Sequence, residues 1–156
     1  MKKDTRLYNV LFPVWMFFLF PTAAWLLILP GNFLVDSLVL VLWMYYQKID
    51  GKGRLYKRKI LLVWLIGFLS DFIGAGLTLG VFLLMDEIAP NVASHLFPAT
   101  TLMALPGVIL AGTLIYFLNR RFVFRNTDLS KEQIHSVCLA LALWTAPYTM
   151  LIPLYG

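Results

Sequence analysis

Charge is scarce in this chain. Of its 156 residues, 13% are Asp, Glu, Lys or Arg, against roughly 25% in soluble domains. Hydrophobic residues make up 60%, and the mean hydropathy is +0.78. A chain this apolar cannot coat itself in water, which excludes an ordinary soluble enzyme and a disordered polypeptide. Cysteine is scarcer still. Cys138 stands alone, so no intrachain disulfide forms. The two histidines, His95 and His135, fall on opposite sides of the topology derived below and cannot share a metal. His135 and Cys138 are three apart on one helix face, yet two ligands do not make a zinc site. The sequence holds no glycine-rich phosphate loop, zincin motif or nucleophile elbow. These absences leave no expected metal, cofactor or enzymatic chemistry.

What is present is long apolar sequence interrupted by basic clusters. All thirteen basic residues fall into three groups: Lys2 to Arg6, Lys48 to Lys59, and Arg120 to Lys131. Residues 7 to 35, 88 to 119 and 133 to 156 carry no charge. A membrane-crossing helix needs about 20 apolar residues at 1.5 Å rise each. The pattern predicts an all-α, polytopic membrane helix bundle, a single domain over 1–156 with five spans at about 8–29, 33–47, 60–85, 97–118 and 132–153. Pro30-Gly31-Asn32 reads as the turn between the first two spans, with Asn32 as an N-cap. Trp43, Tyr45 and Tyr46 close the second span as an aromatic belt. Ser130-Lys131-Glu132-Gln133 has capping-box spacing for the last.

Five spans put the three basic clusters on one side, which the positive-inside rule assigns to the cytoplasm. The N-terminus is then cytoplasmic, the C-terminus lies outside, and the expected location is the cell membrane. A cleaved signal peptide ending near Thr22-Ala23-Ala24 is the rival reading, but the apolar run continues to Val35, longer than a cleavable h-region. The basic loops face anionic lipid, with Lys57, Arg58, Lys59, Arg120 and Arg121 as candidate lipid-phosphate contacts, so no nucleic acid is invoked. Leu118-Asn119-Arg120-Arg121-Phe122-Val123-Phe124 resembles, over seven residues, a short stretch of the GtrA-like flippase-associated membrane proteins, which have four spans. A basic-aromatic exit from any span reads the same way, and Arg120 and Arg121 serve as an inner anchor.

Two acids lie within the expected spans. Asp71 falls near the midplane, about 17 Å from the inner end of its span. An ionised Asp there costs at least ~2.5 kcal/mol, so it must face protein or water or carry a proton. Asp36, four residues after Asn32, falls about 6 Å below the outer end of its helix on the same arithmetic. The resulting depth mismatch of roughly 15 Å argues against the two acids sharing a site. The candidate ion- or solute-binding residues are Asp71, Ser70, Thr78, Asp36 and Tyr148. Gly67, Gly74, Gly76 and Gly80, with Pro106 and Gly107 in the fourth span, form candidate helix-packing faces through small-residue spacing. Pro147 removes an N–H near the outer end of the last span, where Thr145 and Tyr148 are placed to satisfy the freed carbonyl or line a cavity.

Two function classes follow. One is a small transporter or channel subunit for an ion, proton or small solute, built as a homo-oligomer because one short chain has little room for a pore. The other is a non-catalytic partner: an assembly, immunity or regulatory subunit that docks another membrane protein, or a lipid-binding protein. The sidedness is testable. In a Cys138→Ser background, a membrane-impermeant thiol reagent added to intact cells labels Ser94→Cys but neither Lys52→Cys nor Asn126→Cys.

Overall fold

The computed structural model describes residues 23, 25–89 and 98–152. Four helices among them are long and apolar enough to cross a membrane. Helix α1 spans Trp25–Tyr46, α2 Lys52–Ile88 and α3 Ala99–Leu118. A π turn, Asn119–Val123, continues α3, and α4 covers Lys131–Trp144 before a 3-10 turn at Tyr148–Leu151. Each helix contacts its two sequence neighbours around a ring, with α4 closing against α1. Successive helices are antiparallel, as short connections require.

The first expected boundary is not there. Pro30, Gly31 and Asn32 lie inside α1, which joins the end of the first expected span to the second. The rest of that first span, up to Thr22, lies outside the described residues. The physical reason is the cost of unpaired backbone. Pro-Gly-Asn makes a turn readily in water, but a turn among apolar helices leaves several N–H and C=O groups unmatched. A proline within a helix forfeits one hydrogen bond. The side chain of Asn32, expected to cap a helix end, instead reaches α2.

Helix α2 is longer than its expected span. Its 37 residues extend about 55 Å, against a hydrocarbon core of about 30 Å. The basic segment expected to be a loop is therefore mostly helix: Lys52, Arg54, Lys57, Arg58 and Lys59 all belong to α2, and Lys48 alone sits in the preceding turn. That turn has two residues with left-handed backbone, Lys48 at φ 49° and Gly51 at φ 69°. The last expected span divides. Its start carries the full capping box that the Ser130 spacing predicts, with Ser130 and Gln133 bonded reciprocally. Its end is cut at Trp144, three residues before Pro147.

The closest packing joins α2 to α3. A Cβ on Gly74 would stand 2.5 Å from the carbonyl oxygen of Gly107 and 3.0 Å from the Ala111 Cβ. A Cβ on Gly107 would collide with the Thr78 hydroxyl and the Gly74 backbone. Two glycines thus let backbone meet backbone, as small-residue interfaces do. Gly67 packs on α1. Gly76 and Gly80, expected on the same face, have nothing within 4 Å of a built Cβ and are exposed. They lie two and six residues after Gly74, off the i, i+4 stripe of Gly67, Ser70, Gly74 and Thr78. Pro106 is exposed too, and α3 runs through it. A polar layer pins the basic end of the bundle. The Trp43 indole donates to Ser136 at 2.9 Å, and Lys59 Nζ donates to the Val123 carbonyl at 2.6 Å.

Gly107→Ala should therefore lower stability in detergent by about 1–3 kcal/mol through overpacking. Gly76→Ala, with free space around it, should be neutral or stabilising by up to ~1 kcal/mol. Thermal unfolding of the two variants measures the contrast.

Candidate functional site

Two pairs of residues at i, i+4 spacing build the site. On α1, Asn32 and Asp36 share a face; on α2, Gly67 and Asp71 do. The helices run antiparallel, so the pairs cross-match. Asn32 Nδ2 donates to Asp71 Oδ2 at 3.3 Å. One turn away, the Asp36 carboxyl sits over Gly67, its Oδ2 only 3.1 Å from where a Cβ would be. A methyl group there would press on the carboxyl, which would have to give by a few tenths of an ångström. The depth mismatch inferred from sequence is overturned. It measured Asp36 from a helix start at Asn32, whereas α1 starts at Trp25, eleven residues earlier than Asp36. That places Asp36 about 17 Å into the helix and level with Asp71's neighbourhood.

Both carboxyls are buried, Asp36 3% exposed and Asp71 4%. They face one cavity of about 230 Å³, completed by Asn32 and by Trp144, Thr145 and Tyr148 from the end of α4. They are near enough to interact electrostatically. Among the described residues, no Lys, Arg or His lines the cavity. Asp71 Oδ1 is buried with no hydrogen-bond partner among the described residues. The Thr145 hydroxyl adjoins Asp36, but its single proton has another acceptor, the Leu141 carbonyl at 2.8 Å. The donors lining the cavity are thus neutral: the Asn32 amide and the hydroxyls of Thr145, Tyr148 and Thr149. Two negative charges here would repel in a low dielectric without a counter-charge, so the arrangement is suited to hold a proton or attract a cation. At about 230 Å³ the space is below the roughly 300–1,000 Å³ of pockets for drug-sized ligands, and suits an ion with water or a small solute.

The mouth is made by the break in α4. Pro147 cannot donate to Leu143, and the Tyr148 hydroxyl donates to that carbonyl instead, at 2.8 Å. Tyr148 and Trp144, the latter 74% exposed, frame the opening on the half of the bundle away from the basic turns.

Of the five sequence-predicted binding residues, Asp71, Asp36 and Tyr148 come together. Ser70 and Thr78 do not. They are buried on the α2 stripe, with their hydroxyls bonded to the carbonyls of Ile66 and Gly74, and neither lines the cavity. Ser70 lies about 100° round the helix from Asp71, and Thr78 lies two turns further along the same face, where its hydroxyl meets Gly107 of α3. Asn32 was missed because it reads as a cap; the signal that finds it is the i, i+4 pair with Asp36. Gly67, expected only to pack helices, is the seat of Asp36. The candidate lipid-phosphate residues are scattered. Lys57, Arg58 and Arg121 are exposed, Lys59 is tied to Val123, and Arg120 donates to the Tyr116 hydroxyl at 3.1 Å. Among the described residues, no cluster of three or more His, Cys, Asp or Glu forms a metal site.

Comparisons with known protein families, curated proteins and solved structures find no match to this chain. The likeness at Leu118–Phe124 accordingly remains a local one.

Asn32→Leu should cost about 1–3 kcal/mol, because it strips Asp71 of its amide donor. Asn32→Leu combined with Asp71→Leu should regain most of that loss. A double-mutant cycle of thermal stability in detergent measures the coupling.

Proposed function

We propose that this chain is a subunit of a small membrane transporter or channel in which Asp36 and Asp71 form a cation- or proton-responsive site. The observation that carries the reading is the convergence of two buried carboxyls from neighbouring helices on one cavity, with a carboxylate oxygen of Asp71 left unpartnered. Intramembrane acids are expensive and mark ion and proton pathways by default. Here α4 ends at the cavity mouth, so the site has a route to the surface through Tyr148 and Trp144.

The proposal carries the topology with it. The protein is a multi-pass protein of the cell membrane, and the turns around Lys48 and Arg125 face the cytoplasm, in line with the positive-inside rule. A five-crossing chain with a cytoplasmic N-terminus brings Lys2, Lys3 and Arg6 to the same side. The cavity then opens toward the outside. Further along α1 from Asp36, Leu40, Trp43 and Met44 belong to the apolar core, so alternating exposure needs a shift of α1 or α4. A pore through one copy is too narrow for this role, and the working unit is a homo-oligomer or a complex with another membrane protein.

Asp71→Asn and Asp36→Asn each keep the size of the site and remove its charge. Reconstituted in vesicles under an imposed gradient, each should reduce proton or cation flux to the protein-free level. Ser70→Ala, outside the cavity, should retain flux. Unchanged flux in folded Asp71→Asn overturns the reading.

A further inference from the structure

The basic end of the bundle holds a second cavity, of about 570 Å³, between the Lys48 turn, the start of α2 and the segment after the π turn. Lys48, Arg54, Arg58 and Lys59 line it, against two acids, Asp50 and Asp128. Arg54 and Arg58 are one helical turn apart, so their guanidinium groups reach the same space, where like charges repel unless an anion lies between them. Lys48 lines it from the turn before α2, on a backbone of positive φ. Lys59 fixes one edge through its bond to the Val123 carbonyl, and its ammonium keeps two further donors. The floor is apolar. Ile49, Leu55 and Leu129 line it and belong to, or pack on, the main core cluster.

Height selects among anions. Lys59 directly precedes Ile60, where the uncharged part of α2 begins. Arg54 stands five residues further out, about 7.5 Å. That interval matches the headgroup layer, roughly 5–8 Å on each side of the hydrocarbon core. A forked pair of arginines two hydrogen bonds wide suits a phosphate, and an apolar floor at the same level suits the start of an acyl chain.

We propose that this cavity is a binding site for the phosphate group of an anionic phospholipid. Arg54 and Arg58 grip the phosphate, Lys48 and Lys59 complete the counter-charge, and the acyl chains leave along the bundle surface. Chemistry alone would also admit a soluble phosphate; the level of the pocket favours the lipid. The site is separate from the Asp36–Asp71 cavity, and its test does not involve flux.

The experiment measures retention of phosphatidylglycerol by native mass spectrometry and by thermal shift, with the whole protein in neutral detergent. Wild type should hold one lipid saturably. Arg54→Gln/Arg58→Gln should bind at least about tenfold more weakly, given the ~1 kcal/mol that each surface cation contributes toward anionic lipid. Lys57→Gln/Arg121→Gln removes the same charge outside the cavity and should stay within about twofold of wild type. Equal losses in both double variants overturn the site, since they show only diffuse attraction. Inorganic phosphate or glycerol phosphate producing the same shift at the same concentration overturns the lipid assignment. All these side chains except the retained Lys59 are exposed or at the surface, so folding is checked by the unliganded melting temperature.

Discussion

Every backbone polar group in an apolar surrounding must find its partner within the protein, and this constraint shapes the whole molecule. It keeps α1 helical through Pro30 and Gly31. It also turns the small hydroxylated side chains inward. Ser70, Thr78, Thr113 and Thr145 each bond the carbonyl four residues back, a habit that spends their donors locally. Where Pro147 breaks the ladder, the hydroxyl of Tyr148 takes over the stranded carbonyl of Leu143. The π turn at Asn119–Val123 is handled alike: the Asn119 amide returns to Ile115, and Lys59 reaches the Val123 carbonyl.

Two buried side-chain oxygens among the described residues are left without a partner, Asn119 Oδ1 in that π turn and Asp71 Oδ1 in the carboxyl pair. Asp36 and Asp71 share a space with three hydroxyls, of which those of Thr145 and Tyr148 donate to carbonyls of α4. One amide, from Asn32, serves Asp71. Glycines decide where such groups fit. Gly67 makes room for a carboxyl, whereas Gly74 and Gly107 make room for another backbone. The same residue type at neighbouring turns of α2 therefore serves one polar and one apolar contact.

Much of the architecture is legible in the sequence. Uncharged runs mark the helices, basic clusters mark one end, and Ser130 to Gln133 announces the start of α4 down to its hydrogen bonds. Asp71 stands out because nothing cheap explains it there. The failure with the widest effect comes from the use of water-based turn rules within an apolar setting. Reading Pro30-Gly31-Asn32 as a turn removed Asn32 from the site, misplaced Asp36 by about two helical turns' worth of rise, and so separated two acids that adjoin. Ser70 and Thr78 were drawn in by nearness along the chain, although Ser70 points about 100° away from Asp71 and Thr78 lies two turns beyond it, against Gly107 of α3. Gly76 and Gly80 show the same lesson: spacing of four identifies a stripe, but only the partner helix says which stripe is used.

The length of α2 has a mechanical meaning. Its 37 residues run unbroken from the arginines at the basic end to Asp71 and beyond, with Lys59 and Asp71 about 18 Å apart along one axis. A continuous helix is stiff against compression, and no break or hinge separates the arginines from Asp71. Both cavities are thus walled by one element, joined by a single uninterrupted run of backbone hydrogen bonds.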